Sequence, residues 1–167
     1  MPISQKITPF LWFDRQAEEA AQFYTAIFPN SQIINVTRYA ESDHERHQGR
    51  AGTAMTVAFA LDGQLFTALN GGPAFTFSEA ISFQIACQSQ DEVDYFWDRL
   101  AAGGDPAAQQ CGWLKDRYGV SWQVVPTILQ ELLGSAEADQ AQRVTAALLQ
   151  MQKLDIAALQ HAAAGEG

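Results

Sequence analysis

Cysteine is scarce in this sequence of 167 residues. Cys87 and Cys111 are the only two. Two thiols make neither a disulfide framework nor a four-thiolate zinc site. Basic residues are also few, with 10 Lys and Arg against 19 Asp and Glu, for a net charge of −9. No basic stripe offsets that balance, so neither nucleic acid nor an anionic membrane surface is an expected partner. Long apolar runs are missing as well. Nothing approaches the ~20 apolar residues of a membrane span. Met1-Pro2-Ile3-Ser4-Gln5-Lys6 lacks the apolar core of a signal peptide. These absences predict a cytoplasmic protein with both thiols reduced. Histidine is sparse too, at three residues. Two of them, His44 and His47, flank Glu45 in the polar stretch Glu41–Gly52, which reads as a loop.

What remains is an ordinary globular composition, 47% hydrophobic and 17% charged, enough to bury one sizeable core. The most informative stretch is Cys111 to Pro126. Asp116 and Gly119 bracket a tight turn between two short strands. After it, Val120, Trp122 and Val124 alternate with Ser121, Gln123 and Val125, so the two sets lie on opposite faces. Trp122 reads as core. Ser121 and Gln123 are polar on an otherwise apolar strand, and their face is the candidate ligand lining. Lys115 and Asp116 read as a solvated pair, and Cys111 as a buried, inert thiol.

The chain in order gives a strand over Ile7–Phe13 and then a helix, with Asp14 as its expected N-cap. Ala20, Tyr24, Ile27 and Phe28 supply that helix's buried stripe. Gln32–Tyr39 reads as a strand. Thr53–Leu61 and Gln64–Leu69 flank Asp62-Gly63, a type I′ hairpin signal. Asn70-Gly71-Gly72-Pro73 breaks the strand that follows. Ala80–Cys87 is a further strand, with Ser82 and Gln84 on one face and Phe83, Ile85 and Cys87 on the other. Ser89-Gln90-Asp91-Glu92 fits a capping box ahead of a helix carrying Val93, Phe96, Trp97 and Leu100. Thr127–Gln130 fits another. Three short helices are expected at about Ile128–Leu133, Ala136–Gln152 and Ile156–Ala163, the last behind Asp155. Their apolar stripe, Val144, Ala147, Leu148 and Met151, has to be buried on the sheet or on a partner chain.

The order strand, helix, antiparallel strands occurs over residues 7–70 and again over 80–125. That repeat, together with Ile7-Thr8-Pro9-Phe10-Leu11-Trp12-Phe13, Leu69-Asn70-Gly71-Gly72-Pro73, Gly112-Trp113-Leu114-Lys115-Asp116 and Gly119-Val120-Ser121-Trp122-Gln123, resembles the vicinal-oxygen-chelate superfamily, the glyoxalase/bleomycin-resistance/dioxygenase fold. Within it the chain resembles the 3-demethylubiquinone-9 3-methyltransferase-like subfamily, related to a phosphonate-operon protein. The resemblance implies an α+β fold of paired βαβββ modules forming a cupped sheet, with C-terminal helices, and commonly a homodimer. It implies one glyoxalase-like domain over 1–167, with module one at about 7–70, module two at about 79–126 and a helical extension at about 127–163.

Enzymes of this superfamily hold a divalent metal through His or Glu side chains. By position those ligands fall at about Pro9, near Asn70, at Ser82 or Gln84, and at Gln123. None is a histidine or a carboxylate, so neither a metal nor another cofactor is expected. A Rossmann-type methyl-donor site needs a strand, a Gly-rich turn and a helix in succession, and Pro73 with a strand-like segment follows Gly71-Gly72 instead. The reading that emerges is a cleft lined by Trp12, Asn70, Ser82, Gln84 and Gln123 that binds a small organic ligand. The alternatives are an enzyme of vicinal-oxygen-chelate type, metal-assisted through His44 and His47, or the methyltransferase that the subfamily label names.

Overall fold

The computed structural model describes residues 5–43 and 50–165, and His44, Glu45 and His47 lie outside them. The chain divides into two compact units, Met1–Phe77 and Ser78–Gly167.

The first unit contains β1 (Phe10–Phe13), α1 (Ala17–Ile27), β2 (Gln32–Arg38), β3 (Ala54–Leu61) and β4 (Gln64–Asn70). Its sheet runs β1-β4-β3-β2, with β1 parallel to β4 and the other pairs antiparallel. The expected hairpin forms between β3 and β4. Asp62 and Gly63 take φ of 48° and 82°, the two positive values that a type I′ turn requires. α1 packs on β3 and β4 because alternation sends Leu11, Phe13, Val57, Phe59, Phe66 and Ala68 to one face. All six are buried, as are Ala17, Ala20, Ala21, Tyr24 and Ile27 of the helix. Phe59 stacks against Tyr24 and Phe66, with ring centroids 6.2 and 5.5 Å apart.

Two local expectations are corrected here. β1 starts at Phe10, and Ile7 is 85% exposed. Asp14 does not cap α1, because the helix begins only at Ala17 and the capping position is Gln16, whose side chain makes no capping bond to the helix. A helix leaves its first N–H groups without internal partners. That of Ala17 is satisfied from across the unit, by Asn70 Oδ1 at 2.8 Å.

The second unit contains β5 (Phe83–Cys87), α2 (Gln90–Ala101), β6 (Trp113–Lys115) and β7 (Ser121–Pro126), then α3 (Ile128–Leu133), α4 (Ala138–Leu148) and α5 (Ile156–Ala164). The strand order is β5-β7-β6, with β5 parallel to β7 and β6 antiparallel to it. The unit repeats the order of the first with one strand fewer. Between α2 and β6 the chain makes a 3-10 turn at Pro106–Ala108, capped by Asp105 through Ala107 N–H at 2.9 Å. Proline removes a ladder donor there.

Ser89 caps α2 by accepting from Glu92 N–H at 3.2 Å. Glu92 returns the contact to Gln88 N–H at 2.6 Å, one residue short of the reciprocal bond of a capping box. Val93, Phe96, Trp97 and Leu100 are all buried as their spacing predicts. Thr127 makes no capping bond, and its backbone is already helical rather than in the extended conformation of a cap. α4 is shorter than expected. Asp155 caps α5 through Ala158 N–H at 3.0 Å. Arg143 closes that helix's other end on Ala162 O and Ala163 O at 2.9 and 2.7 Å, a cation at the negative end of the helix.

The terminal helices bury their stripe within this unit. Leu129, Val144, Leu154 and Leu159 form a core of their own, with Val125 of β7 packed against it. Gln90 fastens the segment by donating to Leu154 O at 3.0 Å and accepting from Ile156 N–H at 2.8 Å. Among the described residues no helix is long and apolar enough to cross a membrane.

Candidate functional site

The second sheet has two unlike faces. α2 packs on β5, β6 and β7, and Ile85, Cys87, Leu114, Trp122 and Val124 are buried. Register sets the composition of the other face. Lys115 pairs with Ser121, and Gln123 pairs with both Trp113 and Gln84. Directly paired residues put their side chains on the same face of a sheet. Trp113, Lys115, Ser121, Gln123 and Gln84 therefore share the face away from α2. Ser82 joins them just before β5, where its Oγ accepts from Gln123 Nε2 at 2.8 Å. The structure thus brings Ser82, Gln84 and Gln123 together as the sequence suggested, with Gln84 exposed.

At the β6 edge this face borders a cavity of about 340 Å³, lined by Glu79, Gln110, Cys111, Trp113, Lys115 and Ser121 among others. Ser121 is 1% exposed, and its Oγ has no hydrogen-bond partner among the described residues. A buried hydroxyl normally finds one. Lys115 Nζ meets Glu79 Oε1 at 2.7 Å, with the lysine side chain 25% and the glutamate 61% exposed. The hydrogen bond from Lys115, helped by one from the backbone, holds the Glu79 carboxyl below its usual range.

Lys115 and Asp116 are not a solvated pair. Lys115 is bound to Glu79, and Asp116 is 2% exposed. The Asp116 carboxylate accepts from Tyr118 N–H at 2.8 Å, Val120 N–H at 3.1 Å and Trp122 Nε1 at 2.9 Å. It is the hub of the hairpin that presents Lys115 and Ser121. The base of the hairpin is equally constrained. Cys111 has a positive φ of 54°, and Cys111 N–H and Gly112 N–H each donate at 2.8 Å, to Met151 O and Gln152 O. Cys111 is half-buried on the cavity wall, less enclosed than expected. A β-carbon on Gly104 would sit 2.1 Å from Lys115 O, so only glycine lets α2 end so close to β6.

Sequence reasoning found Ser121, Gln123, Ser82 and Gln84 by alternation. It missed Lys115 and Glu79 as a pair and Asp116 as a buried hub. The only local signal was an Asp four residues before a strand valine, which also fits a surface turn.

In the first unit, Trp12 pairs with Leu69 and lies on the face opposite the α1 core. Its Nε1 donates to Gly72 O at 2.9 Å, and its ring meets Phe75 edge-on at 4.9 Å. A β-carbon on Gly71 would come within 2.3 Å of that ring. Asn70 is on the other face, a correction to its expected place beside Trp12. It pairs with Phe13, is 4% exposed, and spends its amide on Ala17 N–H and on Ala54 O at 2.9 Å. A one-residue step along a strand reverses the face. The Asn70 carbonyl oxygen accepts from Tyr39 Oη and from Arg50 Nη1, the latter at 3.0 Å.

The residues at the superfamily's metal positions do not fit a divalent ion. Pro9 has no side-chain donor, Asn70 is committed to the backbone, and Ser82 and Gln123 are neutral and bonded to each other. A catalytic metal takes about three good protein ligands. Among the described residues no three His, Cys, Asp or Glu side chains form a metal-binding group. Cys87 is buried, and burial first, then the nearby Glu92 charge, pushes its thiol up to about 12. Residues 71–82 contain no helix, so Gly71-Gly72 does not open a nucleotide-binding strand–turn–helix unit.

Comparison with known proteins places this geometry. The family model described as 3-demethylubiquinone-9 3-methyltransferase matches residues 5–125. The chain belongs to that family. A PhnB protein from Bacillus cereus, described in the same methyltransferase terms, is 38% identical, covering 74% of this chain and 100% of its own, with a TM-score of 0.63. Protein PA1353 from Pseudomonas aeruginosa is 21% identical over 74% of this chain and 98% of its own, at 0.58. The fosfomycin resistance protein FosX from Listeria monocytogenes, solved with Mn(II) and sulfate, is 17% identical over 79% and 97%, at 0.52. The family and these folds lie in the vicinal-oxygen-chelate superfamily, and the α+β glyoxalase-like class expected from the sequence is the one found. No curated protein sequence matches the chain.

Proposed function

We propose that this family member binds a small organic molecule on the open face of its second sheet, without a metal ion or other cofactor. One observation carries the reading. A cavity of about 340 Å³ opens where that face meets β6, between polar side chains and the Trp113 ring. Small-ligand sites have this size and this mixture of apolar wall and few polar groups. Ser82, Gln84 and Gln123 form the polar floor beside it, and Trp12 offers an aromatic wall on the open face of its own sheet. The neutral donor set at the superfamily's metal positions supports a cofactor-free site.

We also propose a cytoplasmic homodimer. Its support is the pair of free thiols and the large apolar side chains on both edge strands of the first sheet, Phe10 at 58% and Ile34 at 51% exposed. Unpaired edges of this kind invite self-association.

The test is a fragment library screened against the full chain by thermal shift, with each hit mapped by backbone amide NMR. Hits that raise the unfolding temperature and move the amides of Gln84, Trp113, Ser121 and Gln123 support the reading. Hits that bind only in the presence of a divalent ion, or that map elsewhere, overturn it.

A further inference from the structure

We infer that the cavity beside β6 takes a small organic anion whose carboxylate bridges the Ser121 hydroxyl and the Lys115 ammonium, displacing Glu79. The inference rests on the small-molecule reading above and names its ligand class.

The starting point is Ser121, 1% exposed, on the cavity wall, with no partner for its Oγ among the described residues. A buried hydroxyl normally has a partner, and a guest in the cavity would supply one. Lys115 is its direct cross-strand partner, and such pairs bring their β-carbons within about 4.5–5.5 Å. An ammonium has three donors, and Glu79 receives one of them. The wall thus presents a hydroxyl and a cation side by side, a pattern complementary to two oxygens sharing one negative charge. Charge-assisted bonds of this kind are shorter and stronger than neutral ones.

Glu79 is the partner of that cation in this structure. It is the most exposed member of the ion pair, 61% against 25%, and it lies ahead of β5 rather than within the sheet. It can swing into water while Lys115 stays on its strand. A cationic guest is disfavoured, because among the described residues Glu79 is the only acid lining the cavity and is already engaged. Trp113 supplies the apolar wall for the body of the guest.

The experiment uses three matched pairs, benzoate with benzamide, phenylacetate with phenylacetamide, and hexanoate with hexanamide, titrated into the full chain at fixed ionic strength. Amide shifts give both affinity and location. The carboxylates are expected to bind about tenfold tighter than their amides, and Lys115→Gln and Ser121→Ala each to weaken them about tenfold, as loss of a charged hydrogen bond does. Glu79→Gln, a change at an exposed side chain, is expected to tighten carboxylate binding by removing the competitor. Amides that bind as well as acids, or acids indifferent to Lys115→Gln and Glu79→Gln, overturn the anion inference and leave small-molecule binding standing. Absence of saturable binding by all six overturns the inference, while the library screen separately decides the broader reading.

Discussion

Trp122 Nε1 donates to Asp116 Oδ2 at 2.9 Å, six residues back along the same hairpin, with both side chains buried. The bond joins the turn to the core face of β7 and fixes which way the alternation of that strand runs. Ser121 then faces the cavity because Trp122 is held on the other side. Asp116→Asn turns one acceptor toward the indole into a donor or leaves it unmade. It is expected to cost about 1–3 kcal/mol, the penalty for an unsatisfied buried group. Asp116→Ala also strands the Tyr118 and Val120 amides and is expected to cost more. Urea unfolding measures both. Trp122→Phe made on top of Asp116→Ala should cost less than Trp122→Phe alone, since the shared bond has already gone.

Asn70 is predicted to act on stability. Asn70→Ala leaves the Ala17 N–H and the Ala54 carbonyl without their partner. The expected loss is about 1–3 kcal/mol, read as a lower urea midpoint with an unchanged slope. Asn70→Asp keeps the acceptor for Ala17 but sets a buried carboxylate oxygen against the Ala54 carbonyl, so it should cost at least as much as alanine.

Gly71 is required by Trp12. With a β-carbon 2.3 Å from the ring, Gly71→Ala has to move the indole off Gly72 O. Overpacking of this kind costs about 1–3 kcal/mol. The near-ultraviolet circular dichroism of the Trp12–Phe75 pair should change with it, and Trp12→Leu in the Gly71→Ala background should recover part of the stability.

Cys87 gives a prediction in pH. Its thiol is raised from an ordinary value of 9.0 to about 12 in the folded chain. Unfolded chain therefore releases this proton first as pH rises. The stability tied to the buried neutral thiol is fully present below about pH 9 and is lost as pH climbs toward 12. The slope is at most about 1.4 kcal/mol per pH unit. Comparison of urea midpoints at pH 8 and pH 10 should show a steeper fall for wild type than for Cys87→Ala. In native buffer, iodoacetamide should modify Cys111 first, with Cys87 following only on unfolding.

Much of the fold was legible because its signals are local. The β3–β4 hairpin could be read from Asp62-Gly63, the core face of α2 from Val93, Phe96, Trp97 and Leu100, and the start of α5 from Asp155. The polar face of the second sheet was legible by the same logic, since alternation along β5 and β7 separates Ser82, Gln84, Ser121 and Gln123 from their apolar neighbours. What escaped depends on contacts between distant residues. Asn70 looked like a turn residue and is the donor and acceptor that ties α1 to β3. Asp14 stood where a cap is usual, but the helix starts three residues later and borrows its cap from β4. Lys115 and Asp116 read as surface charge because nothing nearby in sequence announces Glu79 or the Trp122 indole.

The most direct test of the central claim is native mass spectrometry of the full chain as purified, repeated after incubation with the fragments that stabilise it. A metal-free binding site gives subunit masses free of divalent metal, and folded charge states that gain the mass of one small organic molecule per chain. One divalent ion per chain surviving desalting, with organic binding lost on its removal by a chelator, would contradict the account and return the site to chelate chemistry.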